Sequence, residues 1–216
     1  MSILSLLKEA TLTRHASLES WLPLLDASLS RSVYKNLIQK FFCYYAPLEL
    51  RLLTMHSGKR GQLNYVERQK TPLLMRDLVA LGETPTHIGS LERCAVLPNL
   101  SSQAESWGCL YVIEGATLGG QIISKRLRNH LALDDASGGA FFNGYGGQTG
   151  VRWKSFCASL NDYVAKYDGD TDVIFGAIQT FETLDIWLRN MQLVRSVPVI
   201  NAVGVVTGKS ESELQL

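Results

Sequence analysis

Four cysteines and four histidines in 216 residues leave little material for several common chemistries. Cys43, Cys94, Cys109 and Cys157 are scattered, with no CxxC pair among them. That argues for reduced thiols in a cytoplasmic protein and against a structural zinc or a cluster; their default role is as small core side chains. No Glu-x-x-His motif occurs, which excludes the di-iron carboxylate bundle. A zinc site would also want a second His or Cys at ligand spacing, and none is present. Charge of one sign is lacking: 21 basic residues stand against 20 acidic ones. The longest basic cluster is Lys125-Arg126-Leu127-Arg128, too short for a nucleic-acid footprint. Apolar runs stay well below the ~18 residues of a membrane span. Residues Met1–Ala10 carry no charged n-region with a cleavage site, so no signal peptide is expected. Gly144-Tyr-Gly-Gly-Gln-Thr-Gly150 fails as a dinucleotide loop because Thr149 occupies the sixth position and no βαβ pattern surrounds it. A P-loop lysine is missing too, so the chain has no nicotinamide or flavin fingerprint of its own.

What is present is helical periodicity. With 46% apolar residues the chain can bury one substantial core. Leu4, Leu7, Thr11, His15, Leu18 and Leu22 mark one face of a helix over Leu4–Leu25, ended by Pro23. A second runs over Ser32–His56 with Ser30 or Ser32 as its cap, and Pro47 as a candidate kink. Gly58-Lys-Arg-Gly61 reads as a loop. Thr71-Pro72 reads as a cap and first helical residue, with Gly82 as the stop. A short helix is expected over Ile88–Ala95, and a long one opens at Ser101 or Ser102 and reaches Ala132. Asp134–Gly150 reads as a Gly-rich loop. Helices from Thr149 and from Asp170 or Asp172 complete an all-α, single-domain bundle over residues 1–196, followed by an irregular tail over 197–216.

Within the long helix, Leu110–Gln121 carries Gly115, Gly119 and Gly120. Three glycines penalise a helix interior by roughly 3 kcal/mol. Gly115 and Gly119 share a face because they are four apart. Such a face serves close helix–helix packing, a bend, or the approach of something flat. On the first helix His15 stacks over Glu19 one turn later. That pair suits either a half-buried histidine beside a surface carboxylate or a metal ligand whose other ring nitrogen is held by an acceptor. His56, His87 and His130 fall near helix ends or in loops and suggest no ligand set.

Together the two blocks are more specific than either alone. Leu7-Lys-Glu-Ala-Thr-Leu-Thr-Arg-His15-Ala-Ser-Leu-Glu19 resembles the opening helix of haem oxygenases, and Tyr111-Val-Ile-Glu-Gly-Ala-Thr-Leu-Gly-Gly-Gln121 resembles their glycine-bent distal helix. With Phe141-Phe-Asn-Gly-Tyr-Gly and the Thr149-Gly-x-x-Trp153 helix, the match most resembles the bacterial biliverdin-producing branch, some of whose members accompany bacteriophytochromes. It covers roughly residues 2–193. The resemblance implies His15 as proximal iron ligand, Glu19 as acceptor for its ring N–H, and Gly115, Gly119 and Gly120 as the distal face over haem. It implies Lys8 as a propionate partner, with Tyr111 and Arg152 as further candidates. Haem would be both substrate and prosthetic group, giving biliverdin, ferrous iron and CO from O2. Electrons would come from a ferredoxin or a reductase; Lys125, Arg126 and Arg128 read either as a basic docking face for it or as a solvated helix surface. One departure stands out: several members have an aspartate after the first distal glycine, and here that position is Ala116.

The residue types suit that chemistry. A thiolate ligand would favour O–O cleavage, and a neutral histidine is milder. Bulky distal side chains would block oxygen leaning towards a porphyrin edge, whereas bare backbone leaves room and offers polar groups through water. A bendable helix also gives a flat substrate a way in and an opened product a way out. The competing classes are a module that holds or delivers haem without degrading it, and a helical protein that binds another ring system with His15 incidental.

Overall fold

Serine hydroxyls start the three longest early helices. Ser2 accepts the Ser5 amide, Ser30 the Val33 amide and Ser102 the Glu105 amide, each satisfying a first-turn donor. The computed structural model describes residues 1–56 and 63–189. These form α1 (Ile3–Trp21), α2 (Arg31–His56), α3 (Thr71–Ala80), α4 (Pro85–Ser90), α5 (Gln103–Leu131), α6 (Ala140–Asn143), α7 (Thr149–Tyr167) and α8 (Asp170–Arg189). Short 3₁₀ turns cover Pro23–Leu25, Tyr65–Arg68 and Gly146–Gln148, and no β-strand occurs among the described residues. The expected loop at residues 58–61 and the tail over 197–216 lie outside them.

Three local expectations are corrected by tertiary partners. Thr71 does not cap α3: the Glu49 carboxylate, reaching from α2, accepts the amides of Lys70 at 2.6 Å and Thr71 at 2.9 Å. A carboxylate supplies two acceptors and a charge that favours a helix N-terminus, so it displaces the hydroxyl. The short helix lies at Pro85–Ser90, capped by Thr84, and the chain then extends so that the Cys94 amide reaches the Cys43 carbonyl. Residues 134–150 are more than a loop. Asp77 of α3 accepts the amides of Ala140 and Phe141 at 2.7 and 2.8 Å and so starts α6. Burial pushes that carboxyl up to about 6 against the pull of the two amides. Pro47 sits inside α2 without ending it.

Two glycines with no part in the glycine-rich stretch set the geometry of the bundle. A Cβ on Gly108 would lie 1.9 Å from the Val173 carbonyl oxygen, and one on Gly176 would lie 2.1 Å from that of Glu105. α5 and α8 therefore cross backbone to backbone, each glycine accommodating the other helix. α1 rests on the far part of α8, held by Arg14 to Glu182 at 2.7 Å and by the Trp21 indole N–H to Asp185 at 2.8 Å. Between α2 and α6, Phe142 meets Phe41 and Phe141 meets Tyr45 edge to face, while Phe41 and Phe141 lie tilted against each other, and the four rings close the core on the other side.

His56 at the end of α2 is buried, its Nε2 2.7 Å from the Ser106 hydroxyl, and desolvation lowers its pKa to about 4. The unfolded chain takes up a proton near 6.5 and the folded chain does not until about 4, so stability falls as pH drops through that window. Between pH 7 and pH 5 the group removes about 2 kcal/mol. Urea unfolding at the two pH values should show that loss as the difference between the native chain and His56→Gln, because the opposing gain from protonating the raised Asp77 carboxyl is common to both. The crossing is tested by Gly108→Ala, which should destabilise by more than the ~1–3 kcal/mol usual for overpacking, because the obstructing atoms are backbone.

Candidate functional site

α8 carries both α1 and α5, and it holds them apart. The gap between them is a cleft, with one cavity of about 250 Å³ lined by Lys8, Thr11, Leu12, His15, Tyr111, Gly115, Ala116, Leu118, Trp153 and Phe181. A second of about 230 Å³ continues along the same two helices, past Glu19, Leu22, Leu24, Leu25, Gly119, Ile122 and Ile123. Leu12, Leu25, Leu118 and Ile122 are all more than 40% exposed there. A contiguous apolar lining of this kind, left open to water, marks a ligand site.

His15 projects into this cleft from α1, its side chain 54% exposed. Glu19 lies one turn on, with its carboxylate 3.4 Å from Nδ1, and Phe181 packs edge-on against the ring at 5.8 Å between centroids. A carboxylate at Nδ1 favours the tautomer with the proton on that nitrogen, which leaves Nε2 as the lone-pair donor. Across the gap, α5 runs unbroken through its glycines. A Cβ on Gly119 would meet nothing within 4 Å, and one on Gly115 would meet only the Trp153 ring at 3.7 Å. Gly120 is different. It is buried, and a Cβ there would lie 2.7 Å from the Phe142 carbonyl oxygen. The expectation that all three glycines share the open face is therefore corrected: Gly120 faces α6, because a helix turns 100° per residue and carries it off the Gly115–Gly119 row.

The other sequence candidates divide. Lys8 and Tyr111 line the cleft at one end, while Ala116 leaves its wall without a carboxylate. Burial pushes the Tyr111 phenol up, and the Thr11 hydroxyl beside it pulls the other way. Arg152 does not line the cleft; it pairs with Glu67 at 3.2 Å and lies over the Tyr145 ring. Of the basic run on α5, Lys125 and Arg128 are exposed, and Arg126 reaches the Asp26 carbonyl at 3.4 Å.

Sequence reading assigned no role to Trp153, which forms part of the cleft wall, or to a buried polar cluster behind α5. There Glu114 receives Arg68 at 2.5 Å, Lys70 at 2.9 Å and the Tyr145 hydroxyl at 2.8 Å. Burial disfavours the charged form of Lys70 while Glu114 opposes it, and the Tyr145 phenol is held well above its ordinary range by burial and by Glu114. The one signal available was an acidic residue ending the apolar run Leu110–Ile113.

No cluster of three or more His, Cys, Asp or Glu side chains suited to a metal occurs among the described residues. A lone imidazole in a flat, apolar slot is a poor site for a bare ion. It fits a metal that arrives already chelated in a planar ring and needs one protein donor on one face, with the other face left free. The donor set, the glycine wall and Lys8 at one end all fit such a group. The fold and cleft thus define an all-α protein with an open apolar slot between α1 and α5, of a shape and donor set that a flat, metal-bearing macrocycle would fit.

The family model described as "Heme oxygenase" matches residues 1–194, and the chain belongs to the haem oxygenase family. It is 32% identical over 126 residues to the heme oxygenase of Xanthomonas campestris pv. campestris (strain 8004), a match spanning 53% of this chain and 64% of that relative's length. In fold it is similar to heme oxygenase from Leptospira interrogans, with a TM-score of 0.67, 17% identity, and coverage of 87% of this chain and 98% of the other.

The two glycine environments make opposite predictions. Gly119→Ala should raise the free energy of unfolding by up to about 1 kcal/mol through helix propensity alone. Gly120→Ala should lower it by roughly 1–3 kcal/mol through the clash with α6. Chemical denaturation of both variants distinguishes them.

Proposed function

We propose that this chain degrades haem to biliverdin, ferrous iron and CO, using O2 and electrons from a separate donor. The observation that supports it most directly is the opposition of His15 on one wall to the side-chain-free Gly115–Gly119 row on the other. Bound haem would supply both the iron that activates oxygen and the ring that is oxidised.

The chain's own residues divide the remaining work. His15 Nε2 holds the substrate iron from the α1 side. Glu19 keeps a proton on Nδ1, which fixes the tautomer and raises the donor strength of Nε2. Phe181 limits rotation of the imidazole by its edge contact. Gly115 and Gly119 leave space on the α5 side, and with Ala116 carrying no carboxylate, backbone carbonyls along that face are the groups left to order distal water. Lys8 and Tyr111 place a cation and a phenol at one end of a slot whose other end, beyond Glu19, is lined mainly by leucine and isoleucine. A porphyrin with propionates along one edge is oriented by that polarity: carboxylates to Lys8, apolar substituents to Leu24 and Ile123. The resemblance of Tyr111–Gln121 and of Phe141–Trp153 supports a reading as the biliverdin-producing bacterial branch, with a ferredoxin or reductase as donor and a bacteriophytochrome as a recipient of the bilin. The reduced state expected of its cysteines agrees with action in the cytoplasm.

Haemin titrated into the protein should give the Soret band of a histidine-ligated complex, and His15→Ala should lose it. The fold should survive the substitution, because the side chain is half in solvent. Reductant and oxygen should then replace the Soret band with bilin absorption and release CO. A Soret band that persisted under those conditions would favour the non-degrading haem holder, and no Soret band at all would favour a different ligand.

A further inference from the structure

The cluster behind α5 joins two residues of the cleft wall through their immediate neighbours. Glu114 precedes Gly115, and Arg152 precedes Trp153. One guanidinium spans both: Arg68 donates to the Glu114 carboxylate at 2.5 Å and to the Arg152 backbone carbonyl at 3.3 Å. Lys70 spends its three protons on the Glu114 carboxylate, the Tyr145 hydroxyl at 2.6 Å and the Arg68 carbonyl at 2.7 Å. Glu49 balances the charge nearby, holding the amides of Lys70 and Thr71 and the Tyr65 hydroxyl. The side chains of Arg68, Lys70 and Glu114 are each at most 4% exposed. On the cleft side, the Trp153 ring lies 3.7 Å from where a Gly115 Cβ would stand.

Fold stability alone gives a weak reason for this arrangement, since well-packed apolar side chains of similar size commonly do as well as a buried ion pair. What charged, multiply bonded groups add is a fixed geometry. A helix weakened by two glycines on its cleft face needs an external reference for its position, and this cluster gives one to the peptide beside Gly115.

We propose that Glu114, held by Arg68, Lys70 and Tyr145, is a positioning residue that sets the distance of the Gly115 backbone and the Trp153 ring from the ligand in the cleft. This rests on the haem reading above. The cluster acts from a side of α5 turned about 100° from Gly115 and does not line the cleft.

The test uses the full chain with Glu114→Gln combined with Lys70→Met, which removes one charge of each sign and leaves the balance intact, and separately Tyr145→Phe, which removes one hydroxyl. Hydrogen exchange on the ligand-free protein should rise at least tenfold in peptides covering residues 112–120, with α2 and the α8 core unchanged. In the ferrous–CO haem complex the C–O stretching band should shift or split, and haemin should leave several-fold faster. Wild-type exchange and a wild-type C–O band in Tyr145→Phe and the double variant would overturn the proposal. So would exchange that rises equally over every helix, since that marks a purely structural role. If the double variant does not fold, Tyr145→Phe decides alone. Failure of the wild-type chain to show a His15-dependent Soret band ends the haem reading before any of these variants is made, so the two failures are distinguishable.

Discussion

The bundle depends on one close approach. Where α5 crosses α8, Gly108 and Gly176 remove the side chains that would hold two helix axes at their usual 8–10 Å, and backbone meets backbone. α8 also carries α1, through Arg14–Glu182 and Trp21–Asp185. One helix therefore serves as the common base for both walls of the cleft. α1 and α5 are fixed relative to each other through it, meeting at Thr11 and Tyr111 rather than along their length, and an opening a flat molecule can enter survives folding. Had α1 packed on α5 directly, the hydrophobic effect that builds the core would have closed the slot.

α5 works differently on its several sides. Towards α8 and α6 it is glycine for the sake of closeness, at Gly108 and Gly120; towards α1 it is glycine for the sake of space, at Gly115 and Gly119. Between these sits Glu114, polar and fully enclosed. A helix with so many weak positions holds its course because each side meets a defined partner: backbone of α8, the Phe142 carbonyl of α6, the Arg68–Lys70 pair, and, across the gap, whatever fills the cleft.

Features encoded within a few residues could be read from the sequence. The Ser30 and Ser102 caps, the Pro23 stop, the Gly82 turn and the His15–Glu19 stacking are all short-range, and the periodicity of α1, α2, α5, α7 and α8 follows from which face meets the core. Features that need a distant partner could not. Glu49 capping α3 lies 21 residues before Lys70, Asp77 starts α6 from 63 residues away, and Arg68 finds Glu114 across 46. Glycine patterns were legible only by half. They announce that a side chain is missing, and Gly119 and Gly120 look alike in the sequence although one faces open space and the other a carbonyl oxygen.

The lone imidazole has a consequence for what becomes of a metal once it is no longer held in its ring. With no second histidine, thiolate or carboxylate cluster near enough to complete a coordination sphere among the described residues, an aquated ferrous ion in the slot would exchange its single protein bond for water. On the proposed function, such a site would favour the chelate over the ion, and iron freed from its ring would leave without any machinery dedicated to expelling it.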